Sequence, residues 1–273
     1  MCQYRRTGRM ASFWRRPMSV LDLFRLDGHV ACVTGGGRGI GEGIALALAE
    51  AGADVVVAAR REHEVEAVAE KIRALGRRAV AVRTDVLAPT AIEELVERTV
   101  KEMGKLTIMV SNAGGNIDRT PRRLVDTPEE VWDQLIDFNL KTAWRGAKAS
   151  APHIAAAGGG SIISIVSING LKASPSFGPY GAGKAGVVNM TMTLAVELAA
   201  MNIRVNAIAP GLIPTEMLYE TVKIGPDAIP AMTRGIPLGR AGTPMDIGAC
   251  AVYLASEAAN WVTGQCISVS GGA

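Results

Sequence analysis

Thr34-Gly35-Gly36-Gly37-Arg38-Gly39-Ile40-Gly41 is the stretch whose reading decides the fold. Ahead of it, His29 to Val33 is a short β-branched run, the size of one buried parallel strand. Behind it, Ile44 to Ala51 is rich in Ala and Leu, which are good helix formers. A strand that enters a glycine turn and leaves it as a helix is suited to cradle a diphosphate. The glycines let the backbone bend tightly and approach a ligand, and the helix start offers unpaired N–H groups and a positive dipole end. Gly35, Gly39 and Gly41 stand as Gly-x-x-x-Gly-x-Gly, one residue different from the usual dinucleotide fingerprint. A flexible loop or a helix cap would look similar, so the reading needs support from further along.

The chain has 273 residues, 48% of them hydrophobic, enough for one large α/β domain and short for two. Its formal charge is +3, but residues 1–21 hold five arginines and no acid, which leaves the remainder at −2. The basic character belongs to that stretch, so nucleic-acid binding by the fold is not expected. Residues 1–21 read as a basic extension outside the fold, with Met18 as a candidate start. Their acid-free composition overlaps with that of an organellar transit peptide. No apolar run approaches the length that crosses a bilayer, so no membrane partner is expected. Cys2, Cys32, Cys250 and Cys266 show no paired spacing, which fits a reduced, cytoplasmic protein. His29, His63 and His153 lie far apart, and no metal site is expected.

Strand-like and helical segments alternate. Strands are expected at Asp54 to Ala58, Ala79 to Arg83, Leu106 to Val110, Ser161 to Val166, Ile203 to Ile208 and Ile267 to Val269. Helices are expected between them: 62–75, 90–103, one long helix opened by Thr127-Pro-Glu-Glu130 and running to 157, then 177–200 and 243–256. Such alternation implies right-handed crossovers and a doubly wound parallel sheet with helices on both faces, an α/β Rossmann-type single domain over residues 22–273. Within it, residues 212–237 read as an irregular, apolar substrate loop.

Six further motifs follow the glycine turn in order. Asp85-Val86 ends the third strand, and Ser111-Asn112-Ala113-Gly114 ends the fourth. Asn139 sits in the long helix, and Ser167 follows the fifth strand. Tyr180-Gly-Ala-Gly-Lys184 opens the next helix, and Pro210-Gly211 ends the sixth strand. Together the seven closely resemble the short-chain dehydrogenase/reductase family, from about Asp22 to the end of the chain. Ser111 departs from the family's commoner Asn, and Gly181 and Gly183 are unusually flexible company for a helical tyrosine.

The resemblance implies an oxidoreductase that interconverts a ketone and a secondary alcohol by hydride transfer with a nicotinamide cofactor. Tyr180 and Lys184 are four apart and share a helix face. A free phenol has a pKa near ~10 and is a poor acid or base at neutral pH. A neighbouring ammonium and an oxidised nicotinamide would bring it towards the working range. By similarity, Tyr180 exchanges the proton with the substrate oxygen, while Lys184 lowers the tyrosine's pKa and holds the nicotinamide ribose. Ser167 hydrogen-bonds the substrate oxygen, and Asn139 holds a water that links Lys184 to solvent. Ser164, inside the strand, is the alternative serine, and the spacing to Tyr180 favours Ser167. The cofactor would run along Gly35, Gly37, Arg38, Gly39, Ile40, Gly41, Arg60, Asp85, Val86, Asn112, Ala113, Gly114, Tyr180, Lys184, Pro210, Gly211, Ile213 and Thr215. Asp85 is expected against the adenine, and Thr215 on the nicotinamide side.

The second strand ends Ala58-Ala59-Arg60-Arg61, with no acid where NAD-preferring members carry Asp. With Arg38 beside Gly39, this pairing resembles the NADP(H)-preferring members, and NAD(H) is the alternative. Met217, Leu218, Tyr219, Ile224, Ile229 and Met232 make residues 212–237 apolar and argue for an apolar ketone or alcohol. The chain resembles both 7α-hydroxysteroid dehydrogenases and 3-oxoacyl-[acyl-carrier-protein] reductases. Arg119, Arg122 and Arg123 are candidates for the basic patch that the latter substrate calls for. The family's habit of pairing through long helices implies a homodimer or homotetramer. A non-catalytic dinucleotide-binding protein is the reading from another class, and the retention of Tyr180 and Lys184 argues against it.

Overall fold

In a computed structural model, residues 19–118, 120–222 and 226–273 are described. Residues 1–18, Arg119 and Ile224 therefore lie outside the described part, and with them Cys2 and Met18. Ser19 caps a short 3-10 turn, Val20–Phe24, through a reciprocal capping box with Asp22, so an ordered segment begins ahead of Asp22.

Seven strands form one parallel sheet: β1 Val30–Thr34, β2 Asp54–Ala59, β3 Ala79–Arg83, β4 Ile108–Ser111, β5 Gly160–Ile165, β6 Ile203–Pro210 and β7 Cys266–Val269. Their order is β3-β2-β1-β4-β5-β6-β7. The helices between them are α1 Gly39–Glu50, α2 Glu62–Ala74, α3 Ala91–Met103, α4 Glu129–Ile136, α5 Thr142–Ala156, α6 Gly178–Leu198, α7 Glu216–Val222, α8 Ile229–Met232 and α9 Pro244–Ala255. All five residues of β1 are buried, as a central parallel strand covered on both faces requires. Ala31 and Val33 join the core under α1, α2 and α9, with Ile44, Leu48, Val65 and Leu254. Val30 and Cys32 point the other way, to Leu95, Met103, Ile154 and Val205 under α3, α5 and the sheet's far face. Two glycines let α1 and α9 approach closely: a Cβ on Gly43 would meet Pro244 Cβ at 2.5 Å, and one on Gly248 would meet Ala47 Cβ at 2.8 Å.

Two expectations need correction. The long helix is not continuous. Asp137–Lys141 forms a π turn between α4 and α5. Asn139 Nδ2 donates to the Leu135 carbonyl at 3.0 Å, taking an acceptor that a regular helix reserves for backbone N–H. The helix also starts later than its Thr-Pro-Glu-Glu signal, at Glu129, with Pro128 at the cap position and no side-chain cap bond. The segment 212–237 is not wholly irregular, since α7 and α8 lie within it. No helix among the described residues is long and apolar enough to cross a membrane.

The chain winds outward from β1 to β3, then returns to place β4 on the other side of β1. A crevice opens where that direction reverses, at the carboxyl ends of β1 and β4.

Candidate active site

The loops at those carboxyl ends enclose a cleft of about 370 Å³. Every residue expected to bind the cofactor lines it, including Arg60 at the end of β2 and Asp85 and Val86 after β3, and so does Ser167 after β5; Asn139 does not, nor do Tyr219, Ile229 and Met232 of the expected substrate loop or Arg122 and Arg123.

The glycine turn is held from two sides. Asn112, just past β4, donates through Nδ2 to the carbonyls of Thr34 at 2.9 Å and Gly35 at 3.1 Å. The backbone N–H groups of Asn112 and Ala113 donate in turn to Thr34 Oγ1 at 3.1 and 3.2 Å. Gly35 adopts φ +65°, in the region that favours glycine. A Cβ on Gly41 would overlap the Gly35 carbonyl oxygen, so this position has no room for a side chain. Thr215, beyond β6, stands over Gly39, where a Cβ would meet its Cγ2 at 3.1 Å. A tight turn that opens a twelve-residue helix, carries glycine at the first and third helical positions and is walled by β4 and β6 loops fits a dinucleotide diphosphate. Asp85 accepts from the Leu87 N–H at 3.1 Å, which fixes the turn after β3.

At the other end of the cleft, Tyr180 and Lys184 project from the first turns of α6, as their spacing predicts. Lys184 is only 4% exposed. Its Nζ donates to the Ile165 carbonyl at 2.8 Å and lies 5.8 Å from the centre of the Tyr180 ring. Burial brings the Lys184 ammonium down to about 8. Tyr180 is partly exposed to the cleft, yet the protein around its hydroxyl pushes the phenol above its ordinary value, and an interaction with the Ser167 side chain draws it back. The lowering expected from Lys184 is thus not a property of the chain alone. Desolvation raises the phenol, the opposing pull comes from Ser167, and the ammonium is committed to a backbone carbonyl.

Ser167 accepts from the Asn169 N–H at 3.1 Å and so caps the turn Ile168–Gly170. Its hydroxyl keeps one hydrogen to donate, and the cap fixes where that oxygen sits. Ser164 is buried within β5 and is not in the cleft.

Asn139 is placed behind the cleft. It pairs with the Gly115 backbone in both directions, Oδ1 accepting from N at 2.9 Å and Nδ2 donating to O at 3.0 Å. A Cβ on Gly114 would come 2.9 Å from Asn139 Oδ1 and 3.0 Å from Lys184 Nζ, so the loop after β4, the π turn and α6 meet there. The two glycines beside Tyr180 serve the chain's own packing. A Cβ on Gly183 would meet Asn139 Cβ at 3.2 Å, and one on Gly181 would meet the Asn169 carbonyl oxygen at 2.9 Å.

Several lining residues were missed, among them Arg61 and Glu64 near the glycine turn and Ile117 in the loop after β4, whereas Leu212, Met217 and Leu218 come from the expected substrate loop. Met217 lies against Gly115, whose Cβ would stand 3.1 Å from its sulfur. The apolar character of Met217 and Leu218 was legible, but that a helix brings them over Gly115 was not.

A family model described as enoyl-(acyl carrier protein) reductase matches residues 35–273. The chain belongs to the short-chain dehydrogenase/reductase family. It is 44% identical over 254 residues to an uncharacterized oxidoreductase of Mycobacterium tuberculosis, covering 93% of this chain and 95% of the relative. It is 36% identical over 248 residues to a 3-oxoacyl-[acyl-carrier-protein] reductase of Thermotoga maritima, covering 91% and 98%. A solved 7α-hydroxysteroid dehydrogenase, complexed with NADH and 7-oxo glycochenodeoxycholic acid, superposes with a TM-score of 0.87 at 35% identity, covering 93% of this chain and 98% of that one. This short-chain dehydrogenase/reductase is thus an oxidoreductase whose fold and cleft suit a nicotinamide dinucleotide.

Proposed function

We propose that this protein interconverts an apolar ketone and its secondary alcohol with NADP(H), with Tyr180 as the general acid and base. The observation that carries the reading is the meeting of Tyr180, Ser167 and the buried Lys184 at the wall of one cleft whose far end carries Arg38, Arg60 and Arg61. When bound, the cofactor supplies or accepts the hydride and, oxidised, adds a positive charge to the site. Every other task falls to the chain.

For reduction, the Tyr180 hydroxyl donates its proton to the carbonyl oxygen as negative charge develops there, and a phenol whose pKa burial has raised is well suited to remain protonated until then. Ser167, fixed by its bond from Asn169, donates to the same oxygen and spreads that charge. Lys184, anchored on the Ile165 carbonyl, keeps a cation beside the phenol and holds the nicotinamide ribose. For oxidation the proton moves the other way, from the alcohol to Tyr180. Asn139 acts behind these groups by holding Gly115, and with it the loop that faces Lys184.

The preference for NADP(H) rests on the absence of an acid at Ala58-Ala59 and on guanidinium groups at Arg38 and Arg60, which suit a 2′-phosphate. An apolar substrate is supported by Ile117, Leu212, Met217 and Leu218 in the lining of the cleft, with Met217 against Gly115. Ketosteroids and 3-oxoacyl thioesters are the substrates to try first, given the relatives named above.

The test follows NADPH and NADH consumption with a panel of ketosteroids, acetoacetyl thioesters and cyclic diketones. Tyr180→Phe should lower turnover by roughly 10²–10⁴-fold while leaving NADPH affinity within a few fold. Arg60→Ala should weaken NADPH about tenfold and leave NADH unchanged. Undiminished turnover in Tyr180→Phe would overturn the mechanism. Tighter NADH than NADPH in the unaltered protein would overturn the cofactor preference alone.

A further inference from the structure

The end of the cleft beside the glycine turn holds an acid as well as cations. Glu64 lies in the first turn of α2 and packs against the turn: a Cβ on Gly37 would come 3.0 Å from Glu64 Cβ and 3.4 Å from its Oε2. The second carboxylate oxygen, Oε1, accepts from Arg61 Nη1 at 2.5 Å. Both side chains line the cleft with Arg38 and Arg60. Glu64 is the inner member of the pair, its side chain 19% exposed against 49% for Arg61.

An acid in the first turn of a helix has an ordinary explanation, because the dipole favours negative charge there. In α2 that explanation is already met by Glu62, which is exposed and lies outside the cleft. Helix stabilisation does not account for a carboxylate turned in against Gly37 and bonded to an arginine of the cleft wall.

We propose that Glu64 is a specificity-determining residue that restrains the preference for a 2′-phosphorylated dinucleotide, so that the site accepts both NADPH and NADH. This rests on the NADP(H) reading above. Two effects act in the same direction. The carboxylate repels a 2′-phosphate brought into the same partly enclosed space, and it occupies Arg61 donors that the phosphate would otherwise take. A cofactor with a neutral 2′-hydroxyl meets neither penalty, since a carboxylate accepts a hydrogen bond from a hydroxyl. Removing the charge at position 64 is therefore felt by one cofactor and not by the other.

The experiment is calorimetric titration of the full chain with NADPH and with NADH, for the unaltered protein, Glu64→Gln and Glu62→Gln, with thermal melts to check folding. Glu64→Gln should tighten NADPH about tenfold and leave NADH within about twofold, and the gain should shrink at high salt. Glu62→Gln, which removes the same charge from the same turn outside the cleft, should change neither. NADPH affinity that is unchanged or weaker in Glu64→Gln, or NADPH and NADH shifting together, overturns the proposal. The unaltered protein's own ratio of affinities judges the NADP(H) reading separately. If NADH binds better there, that reading fails, while the change in ratio on Glu64→Gln still decides the role of Glu64.

Discussion

Lys184 should cost the folded protein stability at neutral pH, and the cost should have a characteristic pH dependence. Burial takes its ammonium from 10.5 down to about 8. At roughly 1.4 kcal/mol per pKa unit, holding that charge inside the protein at pH 7 costs about 3 kcal/mol relative to the unfolded chain. Lys184→Met removes the charge and nearly preserves the volume, but it leaves the Ile165 carbonyl without its donor, a loss of about 1 kcal/mol. The variant should therefore be more stable by about 2 kcal/mol at pH 7, or roughly 5 °C in melting temperature for a chain of this size. The sign follows from which state binds more protons. Between about 8 and 10.5 the unfolded chain keeps the Lys184 proton and the folded one sheds it, so the stability contributed by this group rises with pH across that window. The advantage of Lys184→Met should shrink above pH 8 and vanish or reverse by about pH 10.5, because a neutral amine still donates to Ile165. Denaturation of both proteins without cofactor at several pH values measures this directly. Parallel pH profiles, with no change in their separation, would refute the claim that the buried ammonium is the destabilising element.

Two further substitutions probe the supports of the site. Gly41→Ala places a methyl on the Gly35 carbonyl oxygen, so the turn must open; NADPH affinity should fall by at least about a hundredfold in titration calorimetry while the far-UV spectrum stays that of the folded protein. Asn139→Ala frees the Gly115 backbone and the Leu135 carbonyl, which should cost roughly 2–3 kcal/mol in chemical denaturation and lower kcat about tenfold or more, with NADPH affinity moving little.

Much of the site could be read from residue order because its parts sit where elements change. Thr34–Gly41 lies between a β-branched run and an Ala-rich one, and Asn112, Ser167 and Pro210 each follow an apolar strand, so the alternation that implies a parallel sheet also brings them to one edge. Tyr180 and Lys184 are tied by helical spacing alone. What stayed illegible depends on a side chain displacing backbone or on desolvation. Asn139 turns a continuous helical pattern into a π turn by bonding Leu135, and no periodicity registers that exchange. Glu64 looks like any acid in a helix's first turn until Gly37 is found against it. Lys184 was legible as a neighbour of Tyr180, but not its commitment to Ile165, nor the burial that raises the phenol and lowers the amine.

The π turn at Asp137–Lys141 also works as a phase adjuster. α4 packs on α6, whereas α5 packs on α3 and the sheet, and each has its own apolar face to present. In an unbroken α-helix the two faces would be locked in one angular relation by the residues between them. The wider turn rotates one half against the other, by about 100° for each residue inserted or removed. A one-residue deletion within 137–141 would restore regular helical hydrogen bonding and make the segment a better isolated helix, yet it would turn one of the two faces away from its partner. Local regularity and global fit are in conflict at this one position, and the fold keeps the less regular helix.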